Sequence, residues 1–181
     1  RRPMPSLGRK GVTAVAFLSA NACLPCCRAR ADLLQEDGPE PFRIMECLQS
    51  LIPEVNGKFR TDEDGWFQLI LSHPSVGELI LDHFLTSEKG VRAEINTWAA
   101  WLESKQRLDL MERIIQVKQI LSFEVTPEME DNVFESLIYK RLALALAALA
   151  EGFVHMDGVG FSEPDGTILI EDEDAIRADL K

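Results

Sequence analysis

The chain has 181 residues, which is the size of one domain and is long enough to bury a core without disulfides or metals. Its 30 acidic residues outnumber its 19 basic residues, and the formal net charge is −11. This excess of negative charge repels phosphate backbones, so we predict that the protein does not bind nucleic acid.

The N-terminal segment has the layout of a targeting signal. Residues 1–31 contain basic residues and no acidic one, residues 11–27 carry no charge, and Ala29, Arg30 and Ala31 form an Ala-x-Ala pattern. A basic head, an apolar middle and small residues before the cleavage site are typical of a signal peptide, so we predict that residues 1–31 are a cleaved export or organelle-targeting segment. The alternatives are a short membrane anchor, for which this apolar stretch is marginal in length, and an ordered N-terminal arm.

Residues 32–41 are predicted to be a polar linker, because Gly38, Pro39 and Pro41 disfavour regular structure. A single helical domain is predicted over residues 42–181. The spacing of apolar residues predicts its first helix over residues 42–52 and a turn at 57–61. Four further helices are predicted from the same spacing, at 62–73, 75–85, 91–105 and 107–123.

The longest helix is predicted to begin at Pro127 and to end at Glu151, because Thr126 followed by proline is a strong helix start. Residues 142–150 are apolar on every side, which predicts the most buried helix. Residues 159–170 are predicted to form a short β-hairpin around a Pro-Asp-Gly turn. The predicted fold class is therefore all-α, a bundle of five or six helices with a small C-terminal β-hairpin.

No pattern in the sequence identifies a catalytic or metal-binding site. The three histidines are too scattered for a zinc motif. Asp82 beside His83 could orient a base, but on a helix these neighbours point in different directions, and surface solvation is the simpler interpretation. The loops 62–65 and 163–166 resemble part of an EF-hand loop, without its first ligand and its terminal glutamate. We predict no catalytic residues, no metal and no cofactor, and hence a protein that is not an enzyme.

The tryptophans are the candidate residues for contact with a partner. Trp98 and Trp101 are three residues apart, on one side of a predicted helix, and Trp66 lies in another helix. Tryptophan is enriched among the anchors of protein interfaces. Core packing is the alternative interpretation, more so for Trp98, which lies on the apolar stripe.

The combination of a transfer-like signal, the Ala-x-Ala pattern at residues 29–31 and a small acidic helical body resembles the extrinsic, lumen-side helical subunits of algal photosystems. This resemblance of layout implies a protein that caps a membrane complex in the thylakoid and has no catalytic role.

The functional expectation is a non-catalytic accessory or structural subunit that docks on protein subunits of a larger membrane-associated complex, such as a photosystem. Its association with the membrane is expected to be indirect or through residues 11–27. A thylakoid or plastid location is favoured, with bacterial-type export or secretion as the alternative. The alternative function is a small exported ligand-binding or enzymatic helical domain with an inter-helix pocket.

Overall fold

The computed structural model describes residues 28–33, 39–74, 77–124, 133–156 and 159–172. Its helices are α1 (Pro41–Leu51), α2 (Val91–Ser104), α3 (Leu108–Ile115) and α4 (Val133–Leu149). Its strands are β1 (Arg28–Leu33), β2 (Asn56–Asp62), β3 (Gly65–His73), β4 (Gly77–Leu85), β5 (Gln119–Glu124), β6 (Phe153–Met156), β7 (Gly160–Ser162) and β8 (Ile168–Glu171).

The predicted all-α bundle is wrong, because the described residues form a mixed fold in which an antiparallel sheet carries helices on both faces. The resemblance to photosystem subunits assumed a helical body, and so did the alternative of a helical domain with an inter-helix pocket. Because the fold is mixed, the helical body no longer supports either expectation. The description of the protein as a helical bundle is corrected with them, and no finding supports photosynthesis or a thylakoid location.

The strands follow one another across the sheet in the order β2-β3-β4-β5-β1-β6-β7-β8. β1 lies between β5 and β6, so it joins the four-stranded part β2–β5 to the three-stranded part β6–β8. The hairpin predicted over residues 159–170 coincides with β7 and β8, which pair antiparallel.

β1 runs across the predicted boundary between the targeting segment and the linker. Its Ala31 is buried and lies in register with Leu121 on one side and Val154 on the other. Cleavage after Ala31 would remove the first four of the six residues of β1, Arg28 to Ala31, and would separate the two parts of the sheet. Residues 1–27 lie outside the described residues, and a targeting segment there stays a prediction.

Buried side chains form one core on each face of the sheet. On the first face, α1 and α4 pack against alternate strand residues such as Leu81 and Leu121. On the second face, α2 and α3 pack against residues such as Ile120 and Phe161. Because successive residues of a strand point to opposite faces, the neighbours Ile120 and Leu121 belong to different cores. The described layers are therefore helices, sheet and helices.

The helices predicted at residues 62–73 and 75–85 are the strands β3 and β4. A run with apolar residues on both faces, such as Leu69, Ile70 and Leu71, fits a helix as well as a strand, so its periodicity alone does not distinguish the two. The turn chemistry does distinguish them. Asp62 Oδ1 accepts a hydrogen bond of 3.0 Å from the Asp64 amide, and Gly65 follows with φ at +115°, which closes the β2–β3 hairpin.

The helix predicted over residues 107–123 is the short helix α3 followed by β5. α4 lies within the longest predicted helix, although residues 127–132 of that prediction are outside the described part of the chain. Most residues of α4 from Leu142 onward are buried or half-buried, Leu142 and Leu146 fully, whereas Ala148 is exposed.

Candidate docking surface

The second face of the sheet is covered over only part of its area by the described helices. The core beneath α2 and α3 draws its sheet residues from β5, β6 and β7, with Phe84 of β4 and residues of β8 at its edge. Ile70 of β3 and Ile80 of β4 point to the same face, are half-buried, and belong to neither core. We call the second-face side chains of β2, β3 and β4 the open face; its main members are Lys58, Arg60, Phe67, Gln68, Ile70, Ser72, Glu78, Ile80 and Asp82.

An apolar pair lies at the centre of the open face. Ile70 and Ile80 are directly opposite each other on neighbouring strands, and Lys58 is opposite Ile70 on the edge strand β2. Side chains opposite each other in an antiparallel pair have Cβ atoms about 5 Å apart, so the two isoleucines present one continuous apolar spot.

A hydrogen-bonded row of polar side chains runs beside this apolar pair. The Arg60 guanidinium donates to Gln68 Oε1 at 3.0 Å, and Gln68 Nε2 donates to Asp82 Oδ1 at 2.6 Å. The three residues are cross-strand neighbours in register, so the sheet itself positions them. Gln68 is buried by this arrangement and bridges a cation and an anion.

A β-bulge brings an aromatic ring to the open face. The register of β2 and β3 shifts between Arg60 and Thr61, so that Phe67 is the additional residue on β3. The Arg60 guanidinium carbon lies 5.7 Å from the centre of the Phe67 ring, which places the ring and the cation on the same side of the sheet.

Charge is divided between the two outer strands of the open face. β2 contributes the cations Lys58 and Arg60, and β4 contributes the anions Glu78 and Asp82. Within the described residues, neither Lys58 nor Glu78 makes an ion pair. Gln68 is the one described residue that donates a hydrogen bond to the Asp82 carboxylate, which therefore has oxygen lone pairs left for a further donor.

The structure does not bring the three predicted tryptophans together, and none of them lies on the open face. Trp66 is buried on the first face, stacked on the His83 ring at 4.3 Å. Trp98 is buried on the second face against His155, at 4.3 Å between ring centres. Trp101 is half-buried next to Trp98 and is the most accessible of the three.

Asp82 and His83 lie on a strand and point to opposite faces of the sheet. His83 is not solvated as predicted, because it is buried, with Nδ1 2.7 Å from the Trp66 carbonyl oxygen and Nε2 2.8 Å from Gln119 Oε1. These contacts tie β3, β4 and β5 together on the first face and give His83 a structural role.

The two loops compared with calcium sites are hairpin turns. Residues 62–65 connect β2 to β3, and residues 163–166 connect β7 to β8. In the second turn, hydrogen bonds from Thr167 lower the pKa of the exposed Asp165 carboxyl. In the part of the chain that the structure describes, no cluster of three or more His, Cys, Asp or Glu residues could hold a metal ion. No described helix is long and apolar enough to cross a membrane.

The open face was missed in the sequence because its strands were interpreted as helices. The signal that could have found it is a period of two in the sequence. Gln68 and Ser72 alternate with leucines in β3, and Glu78 and Asp82 alternate with leucines in β4. Comparison with protein-family models, with curated proteins and with solved structures found no match.

Proposed function

We propose that the chain is a non-catalytic docking domain that binds a segment of a partner protein on its open face. The bound segment has apolar side chains at its centre, acidic groups over β2 and basic groups over β4. This chemistry complements the central isoleucines, the cations of β2 and the anions of β4. The partner is a subunit of a larger assembly, as expected for an accessory protein.

The observation that carries the proposal is the half-buried pair Ile70 and Ile80 at the centre of the open face, the part of the second face that the described helices leave uncovered. Apolar side chains gain about 25 cal/mol for each Å² removed from water, so burying the rest of both isoleucines contributes roughly 2 kcal/mol. Contiguous apolar surface bordered by polar residues is typical of a protein interaction site.

The polar row next to the isoleucines lowers the cost of covering them. Gln68 satisfies one oxygen of Asp82 and one donor of Arg60 before any partner binds. A partner that covers this row therefore does not leave a charged group without a hydrogen bond, which would cost several kcal/mol. The fixed geometry of the row also reduces the side-chain entropy lost on binding.

A role on a membrane-associated assembly belongs to the same proposal. Binding through the open face gives an indirect link to the membrane through the partner. The second route is the uncharged stretch at residues 11–27, which lies outside the described residues.

Photocrosslinking in cells that express the chain tests the proposal. A benzophenone amino acid replaces Ile80 on the open face, and a matched control carries it at the exposed Ala148 of α4, on the opposite side of the sheet. We expect a discrete covalent adduct with another protein from position 80 and none from position 148. Adding Ile70→Glu should abolish the adduct, because a carboxylate would be buried in the apolar centre.

Equal adducts from both positions would contradict the proposal, because they would indicate non-specific contact. The absence of any adduct at position 80, with an unchanged unfolding midpoint, would contradict it as well.

A further inference from the structure

We infer that the open face binds one amphipathic α-helix of another protein, with an acidic edge along β2 and a basic edge along β4. This inference rests on the proposed docking function and adds the conformation and the charge pattern of the bound segment.

The size of the open face fits a single helix. Neighbouring strands are about 4.8 Å apart, so the axes of β2 and β4 are roughly 10 Å apart, close to the diameter of one helix with its side chains. Along β3 the face extends from Phe67 to Ser72, roughly 17 Å, which is the length of a helix of about 11 residues.

A second copy of the chain fits this face less well. A stable interface between two copies buries about 800 Å² on each partner, which a face of roughly 10 by 17 Å does not provide. The net charge of −11 also opposes self-association. Both arguments favour a helix from a different protein.

The layering of the fold supports a helix as the occupant. α1 and α4 cover the first face, and α2 and α3 cover the second face over β5 to β7. A sheet buries its apolar face against another layer, which in this fold is a layer of helices wherever it is covered. A helix placed along β3 would continue the layer of α2 and α3 across β2 to β4.

The charges of the open face define the two edges of the bound helix. A helix that lies along β3 has its apolar stripe over Phe67, Ile70 and Ile80. One edge then passes over Lys58 and is acidic, and the other edge passes over the acidic side chains of β4 and is basic. Apolar residues in this helix recur at positions i, i+4, i+7 and i+11.

Two synthetic peptides of about 16 residues and identical composition test the inference. Both have leucines at the helical spacing, but the first has glutamates on one edge and lysines on the other, whereas the second has both charges mixed on each edge. Methyl NMR spectra of the full chain, labelled at isoleucine, report binding through the signals of Ile70 and Ile80. A third peptide, in which a central proline breaks the helix, controls for helical structure.

We expect the first peptide to shift the methyl signals of Ile70 and Ile80 and to bind about fivefold more tightly than the second. The proline-containing peptide should not bind. Lys58→Glu replaces one of the two cations of β2 with an anion, so it should weaken binding of the first peptide and strengthen binding of a peptide with lysines on both edges. The matched control Lys140→Glu, an exposed change on α4, should change neither affinity.

Equal affinity for the separated and mixed peptides, or binding of the proline-containing peptide, would overturn the helix inference. Concentration-dependent shifts of Ile70 and Ile80 without peptide would overturn it in favour of a second copy. If no peptide shifts these methyl groups while a crosslink at position 80 still captures a partner, the helix inference fails and the docking function stands. If the crosslink is absent too, both fail.

Discussion

Gly160 is the position at which a single added methyl group should disturb the fold most. It has φ at +108°, and a Cβ atom there would overlap the Ile170 carbonyl oxygen and lie 2.9 Å from Glu171 Cα. Gly166, in the nearby turn, has φ at +89° and nothing within 4 Å of the same position. Alanine at either site therefore carries the conformational penalty of positive φ, about 1 to 2 kcal/mol, but only Gly160→Ala also displaces backbone.

The overlap at Gly160 must separate β7 from β8, and overpacking of this kind costs roughly 1 to 3 kcal/mol. We expect Gly160→Ala to lower the free energy of unfolding by about 3 kcal/mol, and Gly166→Ala by about 1 kcal/mol. Urea unfolding followed by tryptophan fluorescence measures both, because Trp98 lies 5.2 Å from Phe161 of β7 between ring centres. Equal losses for the two variants would refute the close approach of β7 and β8 at Gly160.

Three further predictions concern contacts that fix the helices and strands. Arg113 forms a bidentate ion pair with Glu163 at 2.6 and 3.2 Å, and a double-mutant cycle with alanine should give a coupling of about 1 kcal/mol. The hydrogen bond from Arg107 lowers the pKa of Asp109 from 3.8 to about 2, so this pair stabilises the fold above pH 4 and the contribution is lost as the pH falls through 2. A carboxyl-carbon NMR titration should find a pKa of about 2 for Asp109 in the wild type and an ordinary carboxyl pKa for it in Arg107→Ala. The effect on stability is small because the carboxylate is exposed. His83→Phe removes two hydrogen bonds on the first face, and urea unfolding should show a loss of about 2 kcal/mol; an unchanged midpoint would contradict its structural role.

The helices were the most predictable part of the fold. α1 and α2 each expose one side and bury another, so their apolar residues recur with a helical period. α4 ends in a run of leucine and alanine, the residues with high helix propensity. In β3 and β4 both faces carry apolar residues, and a run such as Leu69, Ile70 and Leu71 fits either structure. The Asp64-Gly65 turn is the local evidence for strands, but the acidic residues at 62–64 equally resemble the first turn of a helix.

β1 and the open face depend on long-range pairing, which local sequence does not encode. Ala29 and Ala31 resemble a cleavage site because alanine is small, and the same small size lets Ala31 lie buried in the middle strand of the sheet, between β5 and β6. The row from Arg60 through Gln68 to Asp82 joins residues 8 and 14 positions apart, which only the register of the strands brings together.

The most direct test of the docking claim compares the native size of the wild-type chain with that of Ile80→Glu in extracts of the cells that express it. The substitution places a carboxylate at the centre of the open face, where Ile80 is half-buried and lies outside both cores. We predict that the wild type elutes with a larger assembly, and that Ile80→Glu elutes near its own mass of 20.3 kDa with an unfolding midpoint close to that of the wild type. Co-elution of the two chains at the same size would contradict a docking role for this face.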